Sequence, residues 1–397
     1  MRTCAYVVAA TLAALCAFGN LALGQNPGGT GPDGYPLPGG FHPDAVMAIS
    51  DSLPPGAPIT LASAEGPLAA PVIPSMETDD DEVIAVYSKG GGKGGKYQHR
   101  PPRLAFYGDF LYLRPRDAEV AFAVPVDGPV VAPPNNFPIQ VAPVGVVDMD
   151  YQPGFRAGFR YNLNARSAFG AEYTFFEGNT ANSVATQAGD VVRSIVSHPG
   201  TQAASQDYLL ANAEYDLSYD IADVNYYNLL SYSDDYRLMM LAGLRLMQSE
   251  QNLQVDFAGT GTQTVMTDVD FYGAGARIGL EFDKFIGSQW LVYAKGYASL
   301  IPGEFSADYD QSQSFDSVVV DTGWKAGRLI TIWDLELGLG WISNCGTYRF
   351  NAGYTFSAWT NMVQTDEWIA AVQQNNYIGM DSTTTYDGLT ARFEIRY

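Results

Sequence analysis

Residue types that ordinarily carry chemistry are sparse in this chain. Three histidines occur, His42, His99 and His198. No H-E-x-x-H, no paired metal-ligand spacing and no G-x-S-x-G accompanies them. His198 has Asp190 and Asp207 near it in sequence, the one arrangement a His–Asp hydrolytic site could use, and a solvated loop histidine is the simpler reading. Gly90–Lys96 fits G-x-x-x-x-G-K, but Tyr97 stands where Ser or Thr would hold magnesium. Neither a strand leads in nor a helix follows, so a phosphate loop is not expected. Gly29, Gly31 and Gly34 fit G-x-G-x-x-G in the same structureless context. No catalytic residue, cofactor or metal is expected, and the chain does not read as an enzyme.

The remaining chemistry is electrostatic. Charged residues recur on one parity of segments whose other parity is apolar: Arg156, Arg160, Glu172, Glu214, Asp216, Arg245, Arg277, Glu281, Lys295, Asp334, Glu336, Arg349, Arg392 and Glu394. If these segments are strands of a barrel, the charges line its lumen. They then form either a salt-bridged filling or a charged ring that filters solutes.

Composition favours that frame. Aromatics make up 13% of the chain, with 25 Tyr, and Gly reaches 41, while charged residues are only 16%. Soluble proteins carry roughly 25% charged residues. Aromatics and glycines with few charges suit lipid-facing strands. The net charge of −21 argues against a nucleic-acid partner, which would need clustered Lys and Arg.

The first 24 residues read as a secretory signal peptide: Arg2, an apolar run from Ala5 to Phe18, and Ala22-Leu23-Gly24 before a cut at Gln25. Cys4 and Cys16 would leave with it, so Cys345 would remain alone and no internal disulfide is expected. Residues 25–103 are rich in Pro and Gly without sustained periodicity, and read as a disordered periplasmic segment.

From residue 104 the period becomes two. The C-terminal stretch from Thr385 is the clearest case. Leu389, Ala391, Phe393, Ile395 and Tyr397 share one face, and Thr390, Arg392, Glu394 and Arg396 share the other. Nine more strands are expected over Leu104–Arg114, Pro153–Leu163, Arg166–Glu177, Gln206–Ile221 (reaching towards Leu230), Tyr236–Gln248, Asp270–Phe285, Trp290–Leu300, Arg328–Ile342 and Thr347–Trp359. In the fourth, Leu209 to Ile221 in steps of two read as the apolar face, with Glu214 and Asp216 opposite.

Long connections follow strands one, three, five, seven and nine, and short ones follow the even strands. In a transmembrane barrel this means long extracellular loops, including Gly178–Ser205 and Pro302–Gly327, and short periplasmic turns. Phe282, Trp290, Trp341, Tyr348 and Tyr397 fall at one set of strand ends, with Trp333, Trp359 and Tyr173 nearer the other, as interfacial girdles would. The fold expected is all-β, a transmembrane antiparallel barrel of about ten strands, with eight to twelve allowed, over residues 104–397.

Several stretches resemble the Legionella-type major outer membrane protein family, a pore-forming group. They are Phe106-Tyr107-Gly108-Asp109-Phe110-Leu111-Tyr112-Leu113-Arg114-Pro115, Pro153 to Gly158, Leu241 to Arg245, Phe271 to Gly279, and Tyr354 to Trp359. The resemblance implies porin-like passage of small solutes or ions across the cell outer membrane, with outer-membrane lipid around the barrel. It offers no catalytic residue. The final aromatic strand, with Phe393, Ile395 and Tyr397, looks like the signal read by the barrel-assembly machinery. A homo-oligomer is compatible with it. About ten strands give only a narrow pore or a plug, so the alternative is a non-conducting barrel with a surface-binding or envelope-structural role.

Overall fold

The computed structural model describes residues 103–128, 138–314 and 316–397. The expected signal peptide and the Pro- and Gly-rich segment up to residue 102 lie outside the described residues.

The strands are β1 (Leu104–Arg116), β2 (Val120–Val126), β3 (Gly145–Val147), β4 (Gln152–Asn162), β5 (Ser167–Ala185), β6 (Val191–Ser194), β7 (Tyr208–Ser233), β8 (Tyr236–Gly259), β9 (Thr262–Ile286), β10 (Trp290–Gln313), β11 (Asp316–Ile342), β12 (Tyr348–Met362) and β13 (Ser382–Arg396). One α-helix, α1 (Thr365–Gln374), lies between the last two. Strands β1, β4, β5 and β7 to β13 form an antiparallel ring that closes where β13 pairs with β1. Closure pairs the wall strands on both sides at the level of β1, β12 and β13, so their backbone groups are satisfied there, while above it residues 316–330 of β11 pair with β10 alone among the described residues.

Local chemistry sets the short turns. Between β4 and β5, the Asn164 side chain accepts hydrogen bonds of 2.8 Å from the Arg166 and Ser167 amides. The β9–β10 and β11–β12 turns use Gly287 and Gly346, each at φ +71°, where a side chain would be strained. Both termini of the barrel lie at this turn end, where the Leu104 and Tyr397 backbones exchange hydrogen bonds of 3.2 and 2.8 Å.

Outward residues near the turn end are apolar and bare. Leu244 is 65% exposed, Phe110 55% and Phe155 52%. Around the ring, Ile278, Leu337, Leu389 and Phe393 continue this band. Such a belt is stable only against lipid.

The wall is uneven in height. Strands β7 to β11 run 26, 24, 25, 24 and 27 residues. About 9–11 residues cross a bilayer, so these strands continue well beyond it. The connections expected to be long loops after the fifth and seventh expected strands are therefore mostly strand. Pro302–Gln313 belongs to β10 and residues 316–327 to β11. The opposite side is low, with β1, β4, β12 and β13 at only 13, 11, 15 and 15 residues. An insert of β2, β3, β6 and α1 packs there. β2 pairs with β3 and β6, β6 meets β7 at Val192–Tyr208, and α1 buries Trp368, Ile369 and Val372.

Above the lipid band the polarity of the wall inverts. Leu253, Val255, Phe257, Val269, Phe271 and Phe305 point inward and are buried in one core with Phe122, Val192 and Trp368 of the insert. The outward parity there is polar, facing water. Glu214 and Asp216, expected in the lumen, are exposed on the outer wall, while Tyr215 and Leu217 beside them are buried inside. The face of β7 that resembles a lipid face is a core face. Trp359, expected at a girdle, points inward and is 1% exposed.

Candidate functional site

Among the described residues, the lumen gathers cations and carboxylates into a lattice of shared ion pairs. Inward parity carries through from the membrane-level charges to the core above, with register shifts in the wall only near strand ends in β7, β10 and β12. Near the turn end, Arg349 pairs with Asp283 at 3.0 Å, and Arg237 pairs with the same carboxylate. Arg160 reaches Glu281 at 2.9 Å, and Arg396 holds Glu394 at 2.6 Å.

The next layer is denser. Arg392 donates two hydrogen bonds of 2.7 Å to Asp109. Arg156 bridges Asp109 and Glu336 at 3.4 Å each, and Lys295 meets Glu336 at 2.8 Å. Arg245 grips Asp223 through two bonds, of 2.8 and 2.9 Å, and reaches Asp334 at 2.9 Å. Arg277 pairs with Asp223 as well, and Glu172 lies among Arg156, Arg277 and Arg392. Bidentate and shared ion pairs of this kind are strong where water is excluded.

Twelve of the fourteen residues proposed as lumen-lining thus meet in this lattice. The two exceptions are Glu214 and Asp216. Sequence reasoning missed Asp109, Asp223 and Asp283. Asp283 shares the parity of Arg277 and Glu281, so its signal was present, whereas Asp223 shares the parity of Ile221, which reads as lipid-facing, and Asp109 had no recognised charge on its strand to place it.

Beyond the ions comes an aromatic layer. Tyr219, Trp359 and Tyr386 stack at ring separations of 4.6–5.1 Å, with Phe176 against Tyr219 at 5.2 Å. Between the two layers is a cavity of about 40 Å³ bordered by Arg156, Arg245, Arg277, Tyr219 and Trp359. That space is large enough to hold water. The apolar core then fills the rest of the mouth.

His198 and Asp207, considered together in the sequence, have other partners here. The His198 ring Nδ1 accepts from the Gly200 amide at 3.1 Å, and Asp207 is held by Arg193 at 2.8 Å. Among the described residues no group of His, Cys, Asp and Glu is arranged to hold a metal ion.

Solved structures with a similar outline are outer-membrane proteins of low identity. The outer membrane protease OmpT of Escherichia coli is 11% identical, with 75% of this chain and 97% of that chain covered and a TM-score of 0.42. The toluene transporter TbuX of Ralstonia pickettii is 9% identical, with 75% and 90% covered and a TM-score of 0.32. The attachment invasion locus protein Ail of Yersinia pestis is 9% identical, with 74% and 99% covered and a TM-score of 0.23. At these scores none of the neighbours' activities bears on this chain. No curated protein matches it. The family model described as Legionella pneumophila major outer membrane protein precursor matches residues 100–391. With its closed ring of about ten strands and its lipid band, this chain belongs to that family and is an outer-membrane β-barrel.

Proposed function

We propose that this barrel is closed to free diffusion and serves at the cell surface through the tall wall and insert that stand beyond the lipid band. The turn end would face the periplasm and the insert would face outward. One observation carries this reading. Across the lumen at membrane level, Asp109, Arg245 and Glu336 are 0%, 4% and 4% exposed; Asp109 and Glu336 share Arg156, and Arg245 is bound to Asp223, with an apolar core stacked above them. A hydrated solute passing this way would have to break several buried ion pairs, each costing about 3–5 kcal/mol when one partner is left alone.

The second reading is porin-like passage of small solutes or ions, as the resemblance in the sequence implies. Its support is that the membrane-level part of the barrier is made of wall side chains, whose rotamer changes would widen that layer. Conductance of the purified protein in planar bilayers separates the two. A silent wild-type barrel is expected. Stable open steps in symmetric salt would overturn the closed reading and favour the porin.

A further inference from the structure

The geometry points to a lock built from four lumen tyrosines, each lying against a glycine of a neighbouring strand and each with a cation within about 5 Å of its ring. This rests on the closed-barrel reading above and says what holds the barrel closed.

Tyr107 on β1 is the first. Its register partner on β4 is Gly158. A Cβ at Gly158 would lie 2.6 Å from the ring's Cζ, so the ring fills the space a side chain would occupy. The Arg392 guanidinium sits 4.1 Å from the ring centroid, and the hydroxyl donates to Glu172 at 3.0 Å. Tyr297 on β10 repeats the arrangement. It lies against Gly279, its register partner on β9. Arg277 covers it at 4.1 Å, and its hydroxyl donates to Glu281 at 2.9 Å.

The third is Tyr227 on β7, whose Cε2 would be 3.2 Å from a Cβ at Gly170 of β5, with Arg160 stacked at 3.8 Å. Arg160 in turn holds Glu281. The fourth is Tyr293 on β10, opposite Gly338 of β11 and reaching Gly353 of β12. Its ring lies 5.1 Å from the Lys295 ammonium, which holds Glu336.

The repetition has a physical consequence. A cation bound only by carboxylates keeps freedom to swing with its flexible stem. A cation that also lies flat on an aromatic face loses that freedom, and the attraction is strongest where water is excluded. The glycine lets the ring lie against the wall instead of projecting across the lumen. Arg160, Arg277, Lys295 and Arg392 are therefore held on a face and at an edge at once, at four points around the ring. A lumen meant to be merely filled would need no such matched set.

The test uses the full-length protein in planar bilayers, with heat-modifiability as the measure of folding. Tyr107→Ala combined with Tyr297→Ala, and separately Gly158→Ala, should give discrete open steps where the wild type is silent, by freeing side chains that block the path. Tyr107→Phe combined with Tyr297→Phe keeps the rings and should match wild type. If Gly158→Ala does not insert, the tyrosine variants decide, since they remove atoms rather than add them. Folded alanine variants that conduct no more than wild type would overturn the lock. Wild type is run beside them: open steps in the wild type would sink the closed-barrel reading, whereas a silent wild type beside silent, folded alanine variants would sink the lock alone.

Discussion

Arg392 and Asp109 lie directly opposite each other where the last strand meets the first, joined by two parallel hydrogen bonds of 2.7 Å. They are 283 positions apart in the chain, and Asp109 is 0% exposed. The ring is thus sealed by a bidentate, charge-assisted pair at its seam. Asp109→Ala would leave Arg392 and Arg156 short of a partner. It should lower stability by about 3–5 kcal/mol, read as a fall in the urea midpoint of the folded barrel. A midpoint shift below about 0.5 kcal/mol, the range of ordinary surface changes, would show that the seam pair contributes nothing to closure.

Glu172 and Glu214 test the inversion of the wall. Glu172 is inside, where it accepts from Tyr107 and faces Arg156 and Arg392, whereas Glu214 and Asp216 are on the wet outer surface. Glu172→Gln should be strongly destabilising. The pair Glu214→Gln and Asp216→Asn should stay within about 0.5 kcal/mol of wild type. Comparable losses from both would mean that the upper half of β7 faces the other way.

Orientation in the membrane can be read by cysteine labelling on whole cells, in a background with Cys345 replaced. Ser312, near the tip of β10, and Asn182, near the far end of β5, should react with an impermeant reagent. Ser288, in the β9–β10 turn, should not. Reaction at Ser288 alone would invert the barrel.

Cys345 sits exposed in the β11–β12 turn, with the Ser343 hydroxyl 3.3 Å from its sulfur. Hydrogen bonds from Ser343 and Thr347 favour the thiolate and pull the thiol down from 9.0 to about 7. The sign is set by the reactive form: alkylation should accelerate as pH rises through about 7 and level off above it. Ser343→Ala should move that midpoint upward. An unchanged midpoint near the ordinary thiol value in both proteins would remove the turn's influence.

The C-terminal aromatic is a test of assembly. Tyr397 is 70% exposed on the outer face, and its backbone ties to Leu104. Deleting Phe393–Tyr397 should leave chain unassembled in the periplasm, because both the aromatic end and the seam bonds are lost. Wild-type amounts of heat-modifiable barrel after the deletion would show that the last strand does not direct insertion.

Much of the membrane-level barrel was legible in the sequence. Phe155, Arg156, Ala157 and Gly158 alternate in a way that only a strand between two unlike media explains, and the same holds for Leu389 to Tyr397. Short turns at Asn164 and Gly287 followed from residues that need no distant partner. From these came the ten wall strands and the inward parity of Arg156, Arg277 and Arg392.

What only the tertiary structure decided is which medium lies against each face. Alternation says which side chains share a side, and an apolar core looks the same as lipid to the sequence. Tyr215 and Leu217 therefore read as lipid-facing and Glu214 and Asp216 as lumenal. In the structure the strand has already left the bilayer there, with an apolar insert inside and water outside. The insert is held by pairings no local pattern reveals, such as Gln364 donating to the Asp117 carbonyl 247 positions away. The sequence by itself determined a strand-built outer-membrane wall with charges on one face. Whether those charges line an open path or lock together depended on where the ring closed, because ion pairing is set by distance in space and not by spacing along the chain.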